Sequence, residues 1–101
     1  MTRQALNGGG WINLETAKKY TEERDFDGRN MISVNTHSQW EHECLYQSAG
    51  GAYVLHSWSQ YQGSHDTWQR LSLTEAVAWL VRNDYEPAAG DEETIAAQLE
   101  V

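Results

Sequence analysis

Residues 40–61 read WEHECLYQSAGGAYVLHSWSQY, two runs of alternating side chains on either side of Ser48-Ala49-Gly50-Gly51. Alternation with a period of two, broken by a small-residue turn, predicts a β-hairpin with strands over 40–47 and 52–61. Successive side chains of a strand point to opposite faces. Trp40, His42, Cys44 and Tyr46 therefore share one face, and Glu41, Glu43, Leu45 and Gln47 the other. With Ala49-Gly50 as a two-residue turn, Tyr46 falls opposite Tyr53, Cys44 opposite Leu55 and Glu43 opposite His56. In that register Cys44, Tyr46, Tyr53 and Leu55 form the patch that faces the core.

Working outward, Ser72-Leu73-Thr74-Glu75 is a capping box, with a hydroxyl at the cap and a carboxylate three residues later. It predicts a helix over 72–83 whose apolar stripe is Leu73, Ala76, Val77, Leu80 and Val81, with Trp79 at the margin. Pro87 and Gly90 separate it from a short acidic segment, 91–99, where Ile95, Ala96 and Leu99 make a narrow stripe. On the other side of the hairpin, residues 11–25 admit two readings, a helix capped at Asn13 or Thr16 and carrying Ala17 and Tyr20, or a strand opened by Trp11-Ile12-Asn13-Leu14; extended structure is favoured because residues 20–26 lack a clean helical stripe and end at Asp27-Gly28. Ile32-Ser33-Val34 marks a short strand or ordered loop. The run Gly8-Gly9-Gly10 closes residues 1–10, which read as a flexible leader. The expected architecture is an α+β domain over 11–87, followed by the acidic segment 88–101. Its sheet has three or four antiparallel strands, the hairpin is central, and one amphipathic helix packs on it.

At 101 residues the chain is long enough for one core. Its apolar fraction of 40% includes five Trp and five Tyr, each able to bury roughly 150–250 Å². A single cysteine, Cys44, allows no intrachain disulfide, which points to a reducing cytoplasm. No stretch approaches the ~20 apolar residues of a membrane helix. From Asp84 onward there are six acids and no base, so this stretch supplies six of the net eight negative charges. Seven Lys and Arg, with Lys18-Lys19 the only adjacent pair, make a poor footprint for phosphates, so direct nucleic-acid binding is not expected. Such a charge suits a basic protein surface, including the nucleic-acid groove of another protein. The plainer reading, and the one such a charge run more often has, is a solvated tail that maintains solubility.

Two near-copies of one motif, His37-Ser38-Gln39-Trp40 and Trp58-Ser59-Gln60-Tyr61, place aromatic faces beside hydroxyls and amides. One reading makes Gln39 and Gln60 backbone-bonded strand ends, with Trp40, Trp58 and Tyr61 closing the core. The other makes Trp58, Gln60, Tyr61, Gln62 and His65 an aromatic-amide rim for a protein partner, since Trp and Tyr are enriched at interface hot spots. Asp84, Glu86, Asp91, Glu92 and Glu93 are the acidic partner-binding candidates. For an enzyme, the candidates are His42, Glu43, His56 and Cys44, a small-ligand or metal-dependent catalytic set in which Glu43 faces His56 across the hairpin. No Cys-x-x-Cys or His-Glu-x-x-His occurs, and Glu43 beside Cys44 disfavours its thiolate. No cofactor and no catalytic or metal-ligating set is therefore expected, and a homodimer through a sheet edge or the last helix is a third alternative.

The pattern Asp27-Gly28-x-Asn30-x-Ile32-Ser33, Ser38-Gln39-Trp40-x-His42-Glu43, Leu45-Tyr46, Trp58-Ser59-Gln60-Tyr61-Gln62-Gly63-Ser64 and Trp79-Leu80-x-x-Asn83 resembles a group of small bacterial proteins. These are encoded on plasmids, phages and integrating elements. The likeness runs from residue 11 to 87, with Tyr61 where that pattern more often has Trp and His37 where it commonly has Gly. The group carries no established activity; the resemblance implies a mobile-element context, in which small acidic proteins are often inhibitors of host defence, of the anti-CRISPR or anti-restriction type, and a non-enzymatic inhibitor of that kind is the expected function.

Overall fold

The computed structural model describes residues 3–26, 31–33, 41–59, 66–88 and 90–101. In chain order they form β1 (Arg3–Ala5), β2 (Trp11–Asn13), β3 (Lys18–Thr21), β4 (Arg24–Phe26), β5 (Met31–Ser33), β6 (Glu41–Gln47), β7 (Tyr53–Ser59), β8 (Thr67–Leu71), α1 (Leu73–Arg82) and α2 (Asp91–Leu99). The fold is α+β: a four-stranded antiparallel sheet in the order β3-β6-β7-β8, small hairpins β1-β2 and β4-β5, and two helices. The predicted hairpin, β6-β7, is central. Of the two readings of residues 11–25 the extended one holds: β2, β3 and the start of β4 lie there, with a turn at 14–16 between β2 and β3. Within the stretch read as a leader, β1 pairs with β2. Asn7 then exchanges two bonds with the β8 edge, its N–H donating to Trp68 O (2.7 Å) and its Oδ1 accepting from Trp68 N–H (2.8 Å). This covers part of an edge that would otherwise offer free backbone groups.

The hairpin register differs by one residue from the expected one. Cys44 pairs with His56, Leu45 with Leu55, Tyr46 with Val54 and Gln47 with Tyr53. The turn is the cause. Gly51 N–H donates to Ser48 O (2.9 Å), and Gly51 takes a φ of 95°, so a type I turn is followed by one left-handed residue. Ser48 closes the loop, its N–H donating to Ala52 O (2.8 Å) and its Oγ accepting from Ala52 N–H (3.1 Å). A three-residue loop thus replaces the two-residue turn, and a shift of one exchanges which cross-strand neighbours share a face.

The core consequently lies on the Leu45 face. Leu45, Tyr53, Ala76, Trp79 and Leu80 form the buried cluster, with Tyr20, Leu55, Leu71 and Tyr85 packed against it. Cys44 and Tyr46, placed in the core patch by the expected register, lie on the opposite face of the sheet.

Helix α1 starts and stops where the sequence indicated. Ser72 Oγ accepts from Glu75 N–H (3.2 Å), and Glu75 Oε1 accepts from Ser72 N–H (3.1 Å). At its other end Asp84 is left-handed (φ 65°), Tyr85 N–H reaches Leu80 O (2.9 Å) and Asp84 N–H reaches Val81 O (3.2 Å). That is a Schellman stop, with Tyr85 returning onto the core beside Leu80. The helix is rolled relative to the predicted stripe, since Trp79 is buried while Leu73 and Val81 are exposed. Trp79 goes inward because its indole N–H finds Glu43 Oε1 at 2.9 Å, satisfying the polar end of a large ring.

Candidate functional site

Beyond the sheet from α1, the pairing puts Lys19 and Thr21 of β3, His42, Cys44 and Tyr46 of β6, Val54, His56 and Trp58 of β7, and Trp68 and Arg70 of β8 on one face. Their rings run across it in an unbroken series. Tyr46 lies 5.5 Å from Trp68, Trp68 stacks on His56 at 3.8 Å and 6°, His56 lies 4.8 Å from Trp58, and Trp58 lies 5.7 Å from His42. Each histidine carries a carboxylate partner. His42 Nδ1 is 2.6 Å from Glu22 Oε1, and His56 Nε2 is 2.9 Å from Asp66 Oδ2.

Glu22 was not singled out by the sequence reading, yet it organises this end of the sheet. Its side chain is only 2% exposed. Oε2 accepts from Ser33 Oγ (2.6 Å) and from the Glu43 amide (2.9 Å), while Oε1 takes His42 and Arg24 Nε (3.1 Å). Burial pushes its carboxyl up, but the bonds from Ser33, the Glu43 amide, His42 and Arg24 outweigh that and hold it below the usual 4.5. Glu43, next to His42 in sequence, points through the sheet toward α1. Burial pushes its carboxyl up despite the Trp79 bond. Beside the Glu22 cluster opens a cleft of about 490 Å³ lined by Lys19, Thr21, Glu22, Arg24, Met31, Cys44 and Trp58.

The catalytic alternative built on His42, Glu43 and His56 is not assembled. Glu43 pairs with Ser57 rather than His56, and the sheet separates its carboxylate from both imidazoles. Among the described residues no group of three or more His, Cys, Asp and Glu side chains could hold a metal ion. Of the aromatic-amide candidates, Trp58 is half-buried between the two histidines; Gln60, Tyr61, Gln62 and His65 lie outside the described residues.

The acidic candidates divide. Asp84, Glu86 and Glu93, joined by Glu100, rim a groove of about 530 Å³ between the end of α1 and α2, whose apolar lining is Val81, Tyr85, Pro87, Ala96, Ala97 and Leu99. Asp91 is exposed at the start of α2. Glu92 turns inward, and Tyr53 O–H donates to its Oε1 at 3.0 Å. That bond ties α2 to the sheet and positions one wall of the groove. The hydroxyl that makes it is held far above the usual tyrosine range, by burial first and then by Glu92.

No family model matches the chain, and neither a curated protein nor a solved structure matches it. No helix among the described residues is long and apolar enough to cross a membrane.

Proposed function

We propose that this chain is a non-enzymatic protein-binding module whose acidic groove receives a basic, partly apolar segment of a partner. The observation that carries this reading is the groove itself. Four carboxylates, Asp84, Glu86, Glu93 and Glu100, surround an apolar floor, and no Lys or Arg lines it among the described residues. Phosphates are repelled from such a surface, whereas Lys and Arg can lay their methylene stems on the floor and their charges on the rim. The complementary surface is one that itself binds nucleic acid. Together with the resemblance to mobile-element proteins, this makes the favoured partner a host nucleic-acid-handling or defence complex in the cytoplasm. The chain would act there as an inhibitor of the anti-CRISPR or anti-restriction type.

The test is a pull-down from nuclease-treated bacterial lysate, with the wild-type chain beside a Glu86→Lys/Glu93→Lys variant of unchanged melting temperature. A nucleic-acid-binding subunit captured by the wild type and lost by the variant, with its nucleic-acid binding blocked by the wild type alone, is the expected result. Capture that survives charge reversal would remove the groove from the interface.

A further inference from the structure

The cleft beside Glu22 takes no part in the acidic groove, and its charge is the opposite. It lies where the β4-β5 hairpin meets the outer face of the sheet: Lys19 and Thr21 come from β3, Cys44 from β6 and Trp58 from β7, whereas Arg24 and Met31 come from the hairpin. Arg24 pairs with Ser33, two residues from Met31, so these three share one side of the hairpin. Arg24 and Ser33 both donate to Glu22, whose other bonds are to His42 and the Glu43 amide of β6. One buried carboxylate thereby clamps the hairpin to the sheet and holds the walls of the cleft in place.

The clamp also orients a guanidinium. Arg24 gives its Nε hydrogen to Glu22 Oε1 at 3.1 Å, and 44% of its side chain stays exposed. Of the five N–H groups of a guanidinium, that bond leaves the four on the Nη atoms for another acceptor. An arginine held by one carboxylate is pre-organised to take a second as a two-bond fork. Lys19 supplies the other charge. Its Nζ sits 5.9 Å from the centre of the Tyr46 ring, and among the described residues it forms no ion pair. Its field reaches the cleft wall, where burial pushes the Cys44 thiol up and Lys19 works against that push.

In a chain of net charge -8, the lining of this cleft thus holds two bases against one carboxylate, a single positive charge in excess. A carboxylate balances that excess, whereas a phosphate monoester, at about -1.5 to -2, overshoots it. The rest of the wall suits an apolar body. Met31 is 51% exposed and Trp58 half-buried, so a thioether and part of an indole are open to a ligand. The volume of about 490 Å³ falls within the roughly 300–1,000 Å³ of small-molecule sites, more than a bare anion would fill. We infer that this cleft binds a small aromatic monocarboxylate, its carboxylate on Arg24 Nη and Lys19 Nζ and its ring against Met31 and the exposed part of Trp58. Binding makes and breaks no covalent bond, and it needs neither the acidic groove nor a protein partner.

Titration of the full chain with benzoate, followed by amide chemical shifts, tests this beside two controls, neutral benzamide and inorganic phosphate. The expected result is saturable binding of one benzoate per chain, with shifts centred on Lys19, Arg24, Met31, Cys44 and Trp58. Affinity for either control should be lower by about 10-fold or more. Lys19→Met, at an exposed position, keeps the stem and removes the charge, while Arg24→Lys keeps the charge and removes the fork. Each is expected to weaken benzoate binding about 10-fold or more. Melting both variants without ligand separates loss of binding from loss of fold, and Lys19→Met decides alone if Arg24→Lys loosens the Glu22 clamp. No saturation by the wild type, equal binding of benzamide, or unchanged affinity in Lys19→Met would overturn the site. Phosphate binding as tightly as benzoate would overturn it too, by showing an inorganic anion site in place of one for an aromatic acid.

Discussion

Glu22 is buried as an ion because four donors converge on its two oxygens, and this sets how the fold responds to acid. Its folded pKa lies below 4.5, so its contribution is complete above the unfolded value and is lost as pH falls through the folded one. Glu22→Gln keeps the shape but turns an amide NH₂ toward groups that donate. It is expected to cost about 1–3 kcal/mol at neutral pH, with the difference from wild type shrinking once the pH drops below about 4.5. Glu43, raised by burial, drifts the opposite way, so urea melts of wild type and variant must be subtracted at each pH to isolate Glu22. A difference that stays constant into acid would mean the carboxylate is not stabilised as an ion. Nothing in the sequence around Glu22 announced this role, because Ser33, His42 and the Glu43 amide lie 11, 20 and 21 residues away. Such partners meet only after the sheet has formed.

Elements whose signals are local were legible in the sequence. The capping box placed the start of α1 at Ser72, and Asn83 takes the C-cap position. The alternation of residues 40–61 produced both central strands, β6 and β7. What could not be read was the register, since Ser-Ala-Gly-Gly accommodates either a two-residue turn or a type I turn with a left-handed glycine. That single ambiguity moved Cys44 from the core patch to the opposite face of the sheet and sent Glu43 toward Trp79. Gly51 is where the choice is made. A Cβ there meets nothing within 4 Å, so the cost of Gly51→Ala is conformational alone. We expect a loss of about 1–2 kcal/mol from the left-handed backbone, measured by urea denaturation, whereas Gly50→Ala, without a positive φ, should cost much less. Equal effects of the two changes would contradict this turn as the setter of register.

At the scale of the molecule, charge and core are separated: the buried cluster lies between α1 and the Leu45 face, while the acids collect around α2. Helix α2 has no buried residue, and its Gly90 cap makes no side-chain bond, so so short a helix depends on docking. The Tyr53–Glu92 bond ties it to the sheet. Tyr53→Phe retains the buried ring and removes that tie. Hydrogen exchange should therefore quicken across residues 91–99 while protection in β6 and β7 changes little. Partner affinity should fall in the same variant, because Glu93 and Leu99 lose their fixed place in the groove wall. Salt distinguishes this effect from a loss of charge. Raising salt from about 0.1 M to 1 M shortens the screening length from ~10 Å to ~3 Å, which should weaken wild type and Tyr53→Phe by similar factors, since both keep all four rim carboxylates. The Glu86→Lys/Glu93→Lys variant should lose that sensitivity or reverse it. If Tyr53→Phe binds the partner as wild type does while α2 exchanges faster, the groove's preformed shape is irrelevant to binding and only its charge matters.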